Sequence, residues 1–191
     1  MNSFEIVASS TESTVVAEYT PEKRKSTDYQ SEAELEQDFI NRLVSQGYEY
    51  ITIKSEQDLI DNLRTQLEKL NNYIFFDKEW NEFYNSVISN GNDGIVEKTR
   101  KIQEDCLQNL TLDNGYVKNI KLIDKNNIHN NHLQVINQYE EEGGKRDTRY
   151  DVTILVNGLP LVHIELKKRG NAIREAFNQI NRYQRDSFWA G

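Results

Sequence analysis

Three charged side chains bracket two apolar runs in "YDVTILVNGLPLVHIELKKRG", residues 150–170: Asp151 opens the first run, and Glu165 and Lys167 close the second. Two carboxylates brought together repel unless a cation lies between them. Mg²⁺ suits such a pair, because it takes one or two carboxylates and fills its other positions with water and substrate phosphate. Lys167 lies two residues beyond Glu165, so on an extended chain both project from one side. Its ammonium can orient an attacking water or offset charge growing on a phosphate. The competing reading is three solvated strand ends, since an Asp…Glu-x-Lys pattern recurs in charged sequences without any such role.

Whether the three groups meet depends on the hairpin that carries them. Val152, Ile154 and Val156 alternate with Asp151, Thr153 and Leu155, and Val162, Ile164 and Leu166 alternate with Leu161, His163, Glu165 and Lys167. Two strands of one sheet point their aliphatic sets at the same core, which puts the odd-numbered residues of both on the other face. A two-residue Asn157-Gly158 turn would pair residue 156 with 159 and throw Asp151 and Glu165 to opposite faces. The expectation is therefore an odd-length loop, with Gly158 left-handed as a bulge and Pro160 off the ladder.

The preceding chain supplies the elements that would position this hairpin. Residues 1–27 are rich in Ser, Thr, Glu and Lys without a sustained period and read as a polar arm. Ser31 with Glu34 makes a capping box for a helix carrying Leu35, Phe39, Ile40, Leu43 and Val44 and stopping at Gly47. Ser55 opens a second helix, with Leu59, Ile60, Leu63, Leu67 and Leu70 at helical spacing. A third is expected around Trp80, Phe83, Tyr84, Val87 and Ile88, ending in the turn cluster "SNGNDG" at 89–94. A fourth is expected over 95–111, carrying Ile95, Ile102, Cys106 and Leu110. Strand-like stretches follow at 115–124 and 133–140, then a polar loop at 140–149.

Composition narrows the function classes. The chain has 191 residues, 37% hydrophobic and 28% charged, as expected of one globular domain with a buried core. No apolar run approaches the ~20 residues of a membrane helix, and the start lacks a signal-peptide pattern, so a cytoplasmic protein with no membrane partner is expected. Cys106 is the single cysteine, which rules out an internal disulfide and a cysteine-rich zinc site. His129 and His132 have no evident third ligand nearby in sequence. The net charge of −8 argues against phosphate binding over most of the chain. Of the 23 basic and 31 acidic residues, nine and five fall in 145–191, giving +4 there and leaving 14 and 26, or −12, in 1–144. The basic part coincides with the hairpin.

The hairpin and the following "NAIREAFNQINRYQRDSF" resemble the PD-(D/E)xK nuclease signature, in the form found at the N-terminus of the restriction (motor) subunit of type I restriction-modification enzymes. The likeness is strongest over 150–185 and extends more weakly back to about residue 28. It implies an α/β fold, a mixed β-sheet flanked by helices with an additional N-terminal helical part, in a nuclease domain spanning 28–191. It implies that Asp151 and Glu165 bind Mg²⁺, that Lys167 completes the catalytic set, and that Tyr150 stands where the name-giving proline would be. Gln179 and Tyr183 match the Q-x-x-x-Y element of the next helix, and Glu36 sits where such nucleases often carry a further acid. On their own, Gln179 and Tyr183 read more readily as a backbone-capping amide and a core ring, and Glu36 reads equally as a solvated helix charge.

The implied activity is that of a type I site-specific deoxyribonuclease cutting double-stranded DNA. DNA would contact Lys145, Arg146 and Arg149 from the loop and Arg174 and Arg182 from the helix. Methyltransferase and specificity subunits would be the partners. The family's motor uses ATP, but no G-x-x-x-x-G-K-[ST] occurs here, so the chain is expected to be a fragment lacking the motor. The alternative is an inactive nuclease-fold module that clamps DNA or docks partner subunits.

Overall fold

The computed structural model describes residues 3–9, 15–20, 31–141, 148–167 and 177. Two strands, β1 (Ser3–Ser9) and β2 (Val15–Thr20), pair antiparallel within the segment expected to be an arm. Helix α1 (Glu32–Ser45) starts at the expected capping box: Glu34 N–H donates to Ser31 Oγ at 3.2 Å, and Ser31 N–H donates back to Glu34 Oε2 at 2.8 Å. Gly47, at φ +97°, turns the chain out of it into the short strand β3 (Glu49–Tyr50). Helix α2 (Glu56–Asn71) starts at a second box, Ser55 with Asp58. Then come α3 (Asp77–Phe83), a π turn over Tyr84–Ile88, and α4 (Ile95–Gln103).

The fourth helix is shorter than its apolar spacing suggests. Ile102, Cys106 and Leu110 fit one helical stripe, yet the chain leaves the helix after Gln103 and forms strand β4 (Leu107–Thr111). Gly115, at φ +81°, lets it fold back so that β4 pairs antiparallel with β5 (Val117–Lys121), burying Leu110 and Ile120. Partnering across a turn outweighs helical spacing here, because a strand pair satisfies the backbone while still burying the same leucine.

The site rests on a four-stranded mixed sheet in the order β3, β6 (Leu133–Glu141), β7 (Thr148–Val156), β8 (Leu159–Ile164). Strand β3 runs parallel to β6, and the other neighbours are antiparallel. Helix α1 covers one face, with Ile40 and Leu43 packed on Val135 and Val152. Helix α2 covers the other, where Leu59 packs on Ile136 and Leu155. Its next turns, Leu63 and Leu67, join Phe75, Trp80, Phe83, Ile120 and Leu159 in a larger cluster. Leu59, Leu63 and Leu67 are 0% exposed, and truncating any one to alanine costs about 2–5 kcal/mol by analogy with buried leucines generally. The expected architecture, a mixed sheet flanked by helices, is present.

The hairpin turn differs from its expectation. Asn157 and Gly158 both have positive φ, +52° and +81°, and Val156 pairs directly with Leu159, a two-residue turn. Pro160 is opposite Leu155, and the register then shifts: Ile154 pairs with Val162, so Leu161 is the extra residue. The bulge lies in strand β8 rather than in the loop. It restores the parity that the turn breaks, and Val152 pairs with Ile164. Tertiary packing explains the choice. Asn157 is 1% exposed; its amide donates to Leu122 O and Asn131 Oδ1, and its carbonyl oxygen accepts from His132 N–H. A turn held that firmly leaves the strand to absorb the odd residue.

Candidate active site

One step past the Val152–Ile164 pair, the sheet register brings Asp151 on β7 to the chain that continues from β8. Asp151 Oδ2 accepts a hydrogen bond from Leu166 N–H at 2.8 Å, which fixes the carboxylate between Glu165 and Lys167 along that chain. Lys167 Nζ donates to Glu165 Oε1 at 2.6 Å. The Glu165 side chain is 3% exposed and that of Lys167 22%. All three groups therefore meet, as the parity of the apolar residues requires, though through a different turn.

Burial pushes the Glu165 carboxyl above its ordinary value, and the neighbouring Asp151 adds to this through its charge and a hydrogen bond, while Lys167 opposes it. Burial alone would lower the Lys167 ammonium, but its bond to Glu165 and the charges of Glu165, Asp151 and Glu32 leave it raised. Two crowded carboxylates, one desolvated, are a donor set that gains from a cation between them. The pair fits Mg²⁺, which needs only one or two protein carboxylates. Among the described residues no group of three or more His, Cys, Asp or Glu could hold a metal ion. The Glu36 carboxylate is instead engaged by β6, accepting from Asn137 Nδ2 at 2.6 Å and from Gln138 Nε2. Sequence reasoning missed these two amides; Gln138 has φ +54°, and nothing in its neighbours marks that.

Of the other expected site residues, Gln179, Tyr183, Lys145, Arg146, Arg174 and Arg182 lie outside the described residues. Arg149 is placed by its backbone, paired with Glu140 between β7 and β6. His132 Nε2 lies 2.7 Å from Glu49 Oε2 and is engaged there rather than with His129.

His163, next to the site on β8, is packed rather than presented. Its ring stacks on Tyr150 with centroids 4.2 Å apart, and Nδ1 lies 3.0 Å from Thr153 Oγ1. Burial brings its pKa down to about 4. The unfolded chain takes up a proton near pH 6.5 that the folded chain refuses until about pH 4, so stability held above 6.5 drains as the pH falls through that window. The slope is about 1.4 kcal/mol per pH unit from this one group. Urea unfolding at neutral and mildly acidic pH should show a smaller acid loss for His163→Gln than for the wild type. Identical losses would mean that the ring is protonated in the folded state.

The family described as "Type I restriction enzyme R protein N terminus" matches residues 29–190. The chain belongs to this family. It is 48% identical over 183 residues to the "Type I restriction enzyme EcoprrI endonuclease subunit" of Escherichia coli, covering 95% of this chain and 58% of that protein. It is 40% identical over 165 residues to the SsaAORF53P endonuclease subunit of Staphylococcus saprophyticus, and 39% identical over 166 residues to the SauMSSORF170P subunit of Staphylococcus aureus. Each of those alignments covers 84% of this chain and 17% of the relative. The chain thus corresponds to part of the length of these R proteins. The resemblance drawn from residues 150–185 is borne out at the level of the family, and the matched region contains Asp151, Glu165 and Lys167. No helix among the described residues of this R-protein N terminus is long and apolar enough to cross a membrane.

Proposed function

We propose that the chain is the nuclease module of a type I restriction subunit, with a PD-(D/E)xK core, and that it hydrolyses phosphodiester bonds of double-stranded DNA with Mg²⁺. What carries the reading is the buried Glu165 carboxylate beside Asp151, with Lys167 Nζ 2.6 Å away. Structural roles rarely need two carboxylates and an ammonium packed at the end of one hairpin, because desolvating them is costly. Asp151 and Glu165 would hold the cation, which when bound polarises the phosphate and lowers the pKa of water. Leu166 N–H keeps Asp151 oriented, so little reorganisation is needed on binding. Lys167, raised and therefore charged at neutral pH, places an ammonium where it can offset charge on the phosphate.

Sequence readout is not expected of this module. Lys145, Arg146, Arg149, Arg174 and Arg182 would meet the DNA backbone, and such contacts position without specifying. Gln179 and Tyr183 would stand beside the reacting phosphate, with Glu36 supporting the site from α1. Methyltransferase and specificity subunits in the cytoplasm would supply site recognition, and an ATP-driven motor elsewhere in the longer subunit would deliver the DNA.

The test pairs salt titrations of duplex binding with cleavage rates in Mg²⁺ and in a chelator. Replacing the five basic residues with glutamine should weaken binding to all sequences and flatten its salt dependence, by about 0.9 in slope for each phosphate that is no longer neutralised. Gln179→Ala should lower the cleavage rate more than the affinity. An unchanged salt slope would mean that DNA does not cross this face and would favour a docking module.

A further inference from the structure

A second cleft lies along β8, against its Leu159–Leu161 stretch and His163. The π turn over Tyr84–Ile88, helix α4 and the strand wall of Leu159, Pro160 and Leu161 enclose a cleft of about 300 Å³. Its walls are largely aliphatic, from Ile88, Ile102, Leu122, Leu159 and Leu161. Two lysines of α4, Lys98 and Lys101, also line it. An ammonium carries three donors and is rarely buried unless it is paired. Lys101 meets that need: Nζ donates to Val87 O at 3.0 Å and to Asp93 Oδ2. Lys98 does not. Its Nζ is buried and has no hydrogen-bond partner among the described residues.

Charge in the cleft is unbalanced in a specific way. Asp93 faces both lysines, but its carboxylate is bound to Lys101, and Lys101 itself repels Lys98. Among the described residues, one carboxylate against two ammoniums leaves one positive charge to be met. The backbone at the cleft's edge is also unusual. Ser89 N–H bonds to Tyr84 O at 2.7 Å in the π register, and the Val87 carbonyl, inside that turn, is the one turned to Lys101. Turns of this kind are frequent at functional sites.

We propose that this cleft binds a small organic anion: one carboxylate or phosphate group, met by Lys98 Nζ, on a short apolar body that fills the aliphatic walls. The volume lies at the small end of ligand pockets, which excludes a DNA segment and fits a short chain or a single ring. The aliphatic lining disfavours a bare inorganic ion, which would lose its hydration without gaining contacts. Burial, the largest influence, pushes the Lys98 ammonium below its ordinary value, and an anion at Nζ would reverse that. The bulge at Leu161 forms part of the wall, so the ligand would lie against the strand that leads to Glu165. The proposal does not depend on the nuclease reading.

Octanoate is the probe, with 1-octanol and inorganic phosphate as comparison arms, in calorimetry and thermal unfolding of the whole chain. Octanoate should bind and raise the Tm, 1-octanol and phosphate each more weakly. Lys98→Met keeps the chain length, removes the charge, and should weaken octanoate at least about tenfold, the usual worth of a hydrogen bond to a charged group. Without ligand, Lys98→Met should raise the Tm, because an apolar isostere replaces an unpartnered buried ammonium. No octanoate heat or Tm shift at millimolar concentration would overturn the proposal. So would equal binding by Lys98→Met, a lower Tm for that variant without ligand, or phosphate binding as tightly as octanoate.

Discussion

Asp151→Ala or Glu165→Ala in the full-length subunit should abolish DNA cleavage by the assembled enzyme, by at least about a thousandfold. A bound cation contributes several kcal/mol to the transition state, and each 1.36 kcal/mol is about tenfold in rate. The loss should be confined to cutting. On the proposed reading, ATP hydrolysis by a motor elsewhere in the subunit should persist, because the altered group would be a cation ligand in a separate part of it. Asp151→Asn separates charge from geometry: the amide oxygen can still accept from Leu166 N–H, which Asp151 Oδ2 does at 2.8 Å, but one negative charge is gone. If Asn is as inactive as Ala, the carboxylate charge is what the reaction uses. Plasmid cleavage in Mg²⁺, scored beside ATP turnover, decides this. Cutting at near wild-type rates by either alanine variant would remove the hydrolytic assignment and favour the docking-module reading.

The second large effect is on folding. Gly158→Ala should destabilise the protein by about 2–4 kcal/mol, combining a left-handed backbone penalty with overpacking. Gly158 has φ +81°, and a Cβ built there meets Leu63 Cα at 2.6 Å and Leu63 N at 3.1 Å. Those are backbone atoms of α2, so no side-chain rotation relieves the clash. The turn and helix must separate, which also pulls on Asn157 and its bonds to Leu122 and Asn131. Because the same hairpin presents Asp151, the variant should lose cleavage along with stability, whereas Asp151→Asn should keep its unfolding midpoint. Urea denaturation of both distinguishes the two. A Gly158→Ala protein of wild-type stability would mean that the turn does not pack on α2.

Much of the site is legible in the sequence because its signals are local. The capping pair Ser31–Glu34 and the Ser55 start are local signals, and both helices begin where they place them. The two-residue period of the hairpin puts Asp151, Glu165 and Lys167 on a common face, and the hydrogen bonds among them agree. Parity demands one extra residue somewhere between the strands, and one is there. Its location is beyond the sequence. Asn-Gly favours a two-residue turn by itself, and only the Asn131 side chain and the His132 and Leu122 backbone, distant along the chain, hold Asn157 so firmly that the extra residue moves to Leu161. Strand β4 departs from its helical spacing for the same reason, since Leu110 is buried in a helix or a strand alike and its partner β5 decides which. Glu36 finds its amides on β6 across a hundred residues, and Lys98 is left without a hydrogen-bond partner among the described residues where α4 meets the π turn and β8. Periodicity and capping act within a few residues and are written in order along the chain; hydrogen-bond partners, unpaired charges and the place of a bulge depend on which distant segments pack together, and that is settled by the folded whole.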